Sequence, residues 1–260
     1  MRGWLILVMA IIFLIGLAAD QEEREEEVWA HIDAEAGEIL QLVQSGKYED
    51  GRARLRALTD ELTSANYQVM DLDVHDMGTI IMSYERLLGA LTEASMEHDE
   101  RVREAMRFHY VVDAVMHTER PKWKETENDV KEQLQELRES ASEGGASFQH
   151  AWNEWKRTFE MIYPAATLKL SLPEREELRS LVNFMSEHSH RLKDENEARP
   201  FFDALEFEID RLYDGEMNEN DPSLMIVIAI ISGSILLSLS YAGWKKYQGE
   251  KKRARARRER

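Results

Sequence analysis

The feature that most constrains this chain of 260 residues is an uncharged, apolar stretch near its C-terminus, residues 223–243. A helix rises about 1.5 Å per residue, so this stretch reaches about 30 Å, the thickness of the hydrocarbon core of a bilayer. Residues 244–260 follow directly and contain nine Lys or Arg against two Glu. An apolar span followed by a basic run is typical of a single-pass membrane helix. We therefore expect a cytoplasmic tail that contacts anionic lipid headgroups.

The N-terminus predicts the same topology. In residues 1–19, Arg2 is followed by an apolar run and then by two alanines, the pattern of a signal peptide. The alternative is an uncleaved N-terminal anchor, because the uncharged stretch 3–19 is just long enough to span a bilayer. Both interpretations place residues 20–215 outside the cytoplasm as an extracytoplasmic domain, joined to the span by a polar linker, residues 216–222.

Charge and cysteine content exclude several classes of function. Residues 20–221 contain 23 basic and 48 acidic side chains, a formal net charge of −25. Such a domain repels nucleic acid and anionic surfaces, so we expect no nucleic-acid partner. The chain has no cysteine, which excludes disulfides, a thiol nucleophile and cysteine metal sites.

Apolar residues recur at steps of three and four through nearly the whole exported segment. We therefore predict an all-α fold, an antiparallel bundle of seven or eight helices. The predicted inward faces lie, in chain order, within residues 29–43, 55–62, 80–91, 102–116, 123–141, 148–162, 178–192 and 202–212. Glycine and proline predict the boundaries of the helices. We expect helices to end at Ser45 and Gly46, at Gly144 and Gly145, and at Pro164. We expect helices to start at Pro121 and at Pro173. Residues 165–173 alternate like a strand but are too isolated to need a sheet.

One predicted helix is rich in aromatic residues. Phe148, Trp152, Trp155, Phe159 and Ile162 are spaced by four, three, four and three residues, so they share one helical face. Large aromatic side chains at this spacing favour a central core helix over a ligand-binding surface.

Two segments carry a resemblance to a known family. They are LVQSGKYEDGRARL, residues 42–55, and VVDAVMHTERPKW, residues 111–123. Together with the signal, the helical exterior and the C-terminal span, they make the chain resemble the sporulation protein YpjB family of endospore-forming bacilli. The resemblance implies a membrane protein associated with sporulation. It supplies no catalytic residues.

Two polar clusters could carry chemistry. Asp71, Asp73, His75 and Asp76 could bind a divalent ion, but the segment lacks the ligand order of a calcium loop and is equally typical of an acidic helix N-terminus. The second cluster, in the segment 188–190, contains two histidines two residues apart. On a helix they point about 200° apart and cannot chelate one ion together. We therefore predict no metal site.

The best candidate for an acid–base pair is His109 with Asp113, four residues apart on one helical face, with His117 on the same stripe. A satisfied polar pair inside the bundle is the favoured alternative, and a buried imidazole could also respond to pH. No nucleophile-elbow, P-loop or dinucleotide-binding motif is present. We therefore predict no catalytic or cofactor-binding residues.

These observations predict a membrane-anchored, non-enzymatic protein whose exported helical domain contacts an unidentified protein partner. The alternative is a sensor or regulatory subunit of a membrane complex, although a tail of 17 residues cannot hold a cytoplasmic domain. An exported enzyme, such as a cell-wall hydrolase, is a third possibility that lacks a supporting motif.

Overall fold

The computed structural model of the chain describes residues 2–143, 145–187 and 195–214. Within these ranges the protein is helical without a strand, which confirms the predicted all-α class. The helices are α1 (Arg2–Gln44), α2 (Tyr48–Ala57), α3 (Thr59–Ser64), α4 (Val74–Thr92), α5 (His98–Met116), α6 (Glu127–Glu143), α7 (Gly145–Ala166), α8 (Leu172–Glu187) and α9 (Glu195–Asp214), with a 3₁₀ segment at Lys122–Thr126. All described residues belong to one compact unit, Met1–Met217.

The predicted linker, span and tail, residues 216–260, lie outside the described residues. Among the helices that are described, none combines the length and the apolar character needed to cross a membrane. Of the predicted signal segment, residues 1–19, the structure describes residues 2–19, which form the N-terminal part of α1.

The corner between α1 and α2 forms as the sequence predicts. Gly46 has a φ of +73°, a left-handed conformation that costs glycine little. Its N–H donates to the carbonyl of Val43, and the N–H of Lys47 donates to the carbonyl of Leu42, both at 2.9 Å. This pair of bonds satisfies the last carbonyls of α1 and ends the helix.

Helix α5 lies at the centre of the packing, in contact with α1, α4 and α7. The five consecutive residues 111–115 are all buried, and at 100° per residue their side chains point to all sides of the helix axis. Because neighbours cover several sides of α5, some of its polar residues are buried as well. The buried polar residues of α5 are Arg101, Glu104, Arg107, His109 and Asp113.

The aromatic face of α7 is buried, as predicted. All five of its residues are at most 4% exposed, and Trp155 is fully buried. The Trp155 ring stacks on Trp152 at 5.5 Å and on Phe159 at 4.9 Å between centroids. Stacked aromatic pairs contribute about 0.5–1.5 kcal/mol beyond their burial, so α7 is a main stabilising element.

The predicted helix end at Pro164 is wrong. Helix α7 continues to Ala166, with Pro164 inside its last turn. Because proline has no N–H, it cannot donate to the carbonyl of Glu160, four residues earlier. Arg107 of α5 donates to this carbonyl instead, from Nε and Nη2 at 3.2 Å each. The bond that proline removes from α7 is thus replaced by a contact between α5 and α7.

The predicted helix start at Pro121 needs a similar correction. Pro121 precedes the 3₁₀ segment, and α6 begins only at Glu127. Thr126 donates its hydroxyl to the carbonyl of Trp123, which closes this tight turn. The predicted start at Pro173 is confirmed, because Pro173 lies in the first turn of α8.

Helix α9 packs on α6 and α8. Its predicted inward residues, Phe202, Leu205, Ile209 and Leu212, are all buried. The hydroxyl of Tyr213 lies 2.9 Å from that of Thr126, and its ring lies 5.2 Å from that of Trp123. The last described turn of the chain is therefore fixed to the 3₁₀ segment.

Candidate functional site

The predicted stripe on α5 forms part of a polar cluster that we call the Asp113 cluster: Asp33, His109, Asp113, His117 and Lys122. The Asp113 side chain is only 1% exposed, whereas that of His117 is 53% exposed. The cluster thus extends from the interior to the surface at the C-terminal end of α5.

Lys122 lies between the acidic groups and the buried imidazole. Its backbone N–H donates to Asp113 Oδ2 at 2.6 Å. Its Nζ lies 3.0 Å from Asp113 Oδ1, 3.1 Å from His109 Nε2 and 3.9 Å from Asp33 Oδ2. One ammonium therefore hydrogen-bonds His109 and forms ion pairs with carboxylates from two helices. His109 and Asp113 are both buried, but Lys122 stands between them as their common partner.

The local sequence explains this placement. Helix α5 ends at Met116, and the chain then turns so that Pro121 directs it into the 3₁₀ segment. Pro121 has no N–H, so the first free backbone donor after it is that of Lys122. A buried carboxylate needs such donors, because an unpaired charge inside a protein is costly. Asp113 thereby fixes the turn that follows its own helix.

Three buried polar atoms of the Asp113 cluster have no hydrogen-bond partner: Asp33 Oδ1, His109 Nδ1 and Asp113 Oδ1. Lys122 Nζ and His117 Nδ1 both lie 3.0 Å from Asp113 Oδ1, but neither is directed for a hydrogen bond. With neutral imidazoles, two carboxylates face one ammonium. The cluster therefore has an excess of negative charge and unused acceptor capacity.

Burial lowers the pKa of His109, and the ammonium of Lys122 lowers it further. The carboxylates of Asp33 and Asp113 act in the opposite direction without reversing the shift. His109 is therefore neutral over a wider pH range than a free histidine. Its Nε2 accepts from the Lys122 ammonium, which places the imidazole proton on Nδ1.

A second buried charged group connects α4 and α5. Glu104 accepts from Arg86 at 3.0 and 3.2 Å and also from Arg107. Burial raises the pKa of Glu104, but the hydrogen bonds from both arginines outweigh this effect and hold the pKa below its usual value. Since Arg107 also bonds the carbonyl of Glu160, this group joins α4, α5 and α7 and is structural.

The other predicted cluster is a helix start, one of the two interpretations of its sequence. Asp73 caps α4 by accepting from the N–H of Asp76, and Asp76 accepts in return from the N–H of Asp73. The bond from Asp76 lowers the pKa of Asp73. Asp76 is buried, and it also accepts from the backbone N–H of Lys169 at 3.1 Å. This carboxylate therefore attaches the turn after α7 to the start of α4.

Sequence reasoning identified three members of the Asp113 cluster and missed two. Lys122 lies in a turn, where no periodicity predicts the direction of a side chain. Asp33 lies on α1, far away in the chain, and only the packing of α1 on α5 brings it close. The predicted pair of histidines in residues 188–190 lies outside the described residues.

Comparison with known proteins identifies the family. The sequence model of the family described as Sporulation protein YpjB (SpoYpjB) matches residues 29–256. The chain is similar to the YpjB protein of Bacillus subtilis (strain 168), with 26% identity over 255 residues that cover 96% of each chain. No solved structure matches. The matched region includes the whole Asp113 cluster, and the chain belongs to the sporulation protein YpjB family.

Proposed function

We propose that this sporulation-family protein is membrane-anchored and non-enzymatic, and that its exported helical domain acts by binding another protein. The apolar stretch 223–243 and the basic tail 244–260 support the anchor. The acidic composition of the exterior domain supports a protein partner over an anionic polymer or surface.

The observation that carries the proposal is a cleft of about 700 Å³ between α6 and α9. Its lining is mostly charged or polar and includes Lys131, Glu132, Arg138, Glu206 and Asp210. Small-molecule sites are instead lined mainly by apolar side chains. A charged cleft on two packed helices fits charged side chains of a protein partner.

Ion pairs across the cleft connect α6 to α9. Lys131 lies 2.7 Å from Asp210, and Arg138 lies 2.6 Å from Asp203 and 3.1 Å from Glu206. The carboxylates of Asp210 and Glu127 raise the pKa of Lys131, so this ammonium stays charged. These exposed pairs each contribute little stability, about 0–1 kcal/mol, and remain available to charged groups of a partner.

Site-specific photo-crosslinking tests the proposal. A photoreactive amino acid replaces Glu132, which is exposed and lines the cleft. In sporulating cells we expect this protein to give a discrete crosslinked product that contains a second protein, identified by mass spectrometry. The matched control carries the same group at Asp99, an exposed acidic residue on α5 outside the cleft. The absence of a product at Glu132, or the same products at both positions, would contradict a partner in the cleft.

A further inference from the structure

We propose that the Asp113 cluster is a binding site for a divalent transition-metal ion of the Zn²⁺ type, with Lys122 as a tethered competitor for the same place. The ligands are Asp33, Asp113, His109 and His117. This inference goes beyond the proposed function and does not depend on it.

The ligand atoms are already close together. Asp33, Asp113 and His117 each offer an atom within 4.8 Å of the others. Ligands around a tetrahedral zinc ion, at about 2.0–2.2 Å from the metal, lie about 3.4 Å apart. Rotation of the side chains brings the atoms to this spacing, and His117 is exposed enough to rotate freely. Its Nδ1 is already 3.0 Å from Asp113 Oδ1.

The buried atoms without a hydrogen bond provide a second argument. Asp33 Oδ1 and Asp113 Oδ1 are buried oxygens without a hydrogen bond, and Asp113 is almost completely shielded from solvent. Buried carboxylate oxygens normally accept hydrogen bonds, and the ion pair of Asp113 Oδ1 with Lys122 does not supply one. A divalent cation between these oxygens would satisfy both and balance both charges.

Lys122 shows where the cation binds. Its Nζ lies 3.0–3.1 Å from Asp113 Oδ1 and His109 Nε2, at a position that both acceptors share. The Lys122 side chain is 42% exposed, so its ammonium can swing into solvent. Its backbone N–H remains bonded to Asp113 Oδ2 during this movement, because only the side chain leaves. The lone pair of His109 Nε2 is then free to bind the ion as a fourth ligand.

The donor set selects the kind of ion. Imidazole nitrogens combined with carboxylate oxygens suit zinc and related transition metals. Calcium prefers six to eight oxygen ligands, which the Asp113 cluster does not offer. We therefore expect Zn²⁺ to bind in preference to Ca²⁺.

The test is isothermal titration of the full-length protein in detergent with Zn²⁺ alone, and separately with Ca²⁺. We expect saturable binding of one Zn²⁺ per chain. His117→Ala removes an exposed ligand, and Asp33→Asn removes a charge while keeping the shape of the side chain; each should weaken binding at least about tenfold. Lys122→Met removes the competing ammonium and should tighten binding. The matched control is His150→Ala, because His150 is an exposed histidine outside the cluster.

Two results would overturn the proposal. One is the absence of saturable Zn²⁺ binding by both the wild-type protein and Lys122→Met, each verified as folded by circular dichroism. The other is binding that changes equally in His117→Ala and His150→Ala, which would place the ion on the acidic surface. Binding by Lys122→Met that is no tighter than that of the wild type would disprove the competition.

Discussion

At the scale of single residues, the buried charges of α5 do most to connect the parts of the described fold. Asp113 fixes the turn after its own helix through Lys122. Glu104 and Arg107 join three helices through hydrogen bonds. Burying such groups is favourable only when all partners are present, because one unpaired charge in the interior costs several kcal/mol.

Glu104→Gln should lower the free energy of unfolding by about 3–5 kcal/mol, because it leaves the buried guanidinium of Arg107 without its carboxylate. Urea denaturation followed by far-ultraviolet circular dichroism measures the change. The matched control is Glu154→Gln, which removes an exposed pair with Arg157 and should cost about 0.5 kcal/mol or less. Equal effects of the two substitutions would mean that the Glu104 group contributes no more than a surface pair.

The neutral state of His109 predicts a pH dependence of stability. Burial and Lys122 lower the pKa of His109 in the folded protein against the opposing effect of Asp33 and Asp113. Between about pH 6.5, the unfolded value, and the lower folded value, His109 binds more protons in the unfolded chain than in the folded chain. The free energy of unfolding therefore falls as the pH decreases through this window.

Urea denaturation at a series of pH values from about 7.5 to 5 checks this expectation. His109→Gln keeps a polar side chain but does not titrate, so its stability should depend less steeply on pH in the window. His150→Gln, at an exposed histidine, should keep the wild-type slope. The same slope in all three proteins would show that His109 does not cause the dependence.

At the scale of helices and turns, hydrophobic periodicity predicted most of the described elements, although the structure divides the second predicted helix at Leu58 into α2 and α3. The faces of α7 and α9 are buried as the spacing of their apolar residues predicts, because each helix has one side against the core. Periodicity failed where a side chain from another helix decides the outcome. At Pro164 the loss of one bond within α7 is offset by Arg107, which lies 57 residues earlier in the chain. Three members of the Asp113 cluster were predicted from their spacing on α5, whereas Asp33 was missed because it reaches the cluster from another helix.

The aromatic face of α7 predicts a large effect of truncation. Trp155→Ala removes a fully buried ring that stacks on two neighbours, so it should destabilise the protein by about 3–5 kcal/mol. Chemical denaturation and thermal melting measure this loss. Phe207→Ala on α9 is the matched control, since Phe207 is 60% exposed and its truncation should change stability by about 0.5 kcal/mol or less. If Trp155→Ala were as stable as the wild-type protein, the aromatic face of α7 would not be part of the core.

At the scale of the whole molecule, the sequence divides the chain into an acidic part and a basic part. Residues 20–221 carry a net charge of −25, whereas the tail 244–260 carries +7. We propose that the two parts lie in different compartments, because positive residues are retained on the cytoplasmic side of a membrane. The expected topology follows from this charge pattern and from the apolar span between the two parts.

Cysteine labelling tests the topology, and the chain is suited to it because it has no cysteine of its own. Ser95→Cys places a thiol at an exposed position between α4 and α5. In intact protoplasts it should react with a membrane-impermeant reagent. Gln248→Cys, in the tail, should react only after the membrane is permeabilised. The converse pattern would contradict an exported helical domain.

The attachment of Tyr213 has a mechanical consequence. Its hydroxyl meets that of Thr126 and its ring packs on Trp123, one residue after Lys122. The predicted linker, residues 216–222, follows soon after this tyrosine, so tension in the linker would act on the contacts of Tyr213. The pulling force would pass into the 3₁₀ segment and so reach the turn held by Asp113. Tension in the linker would thereby be transmitted to the Asp113 cluster through Thr126 and Trp123.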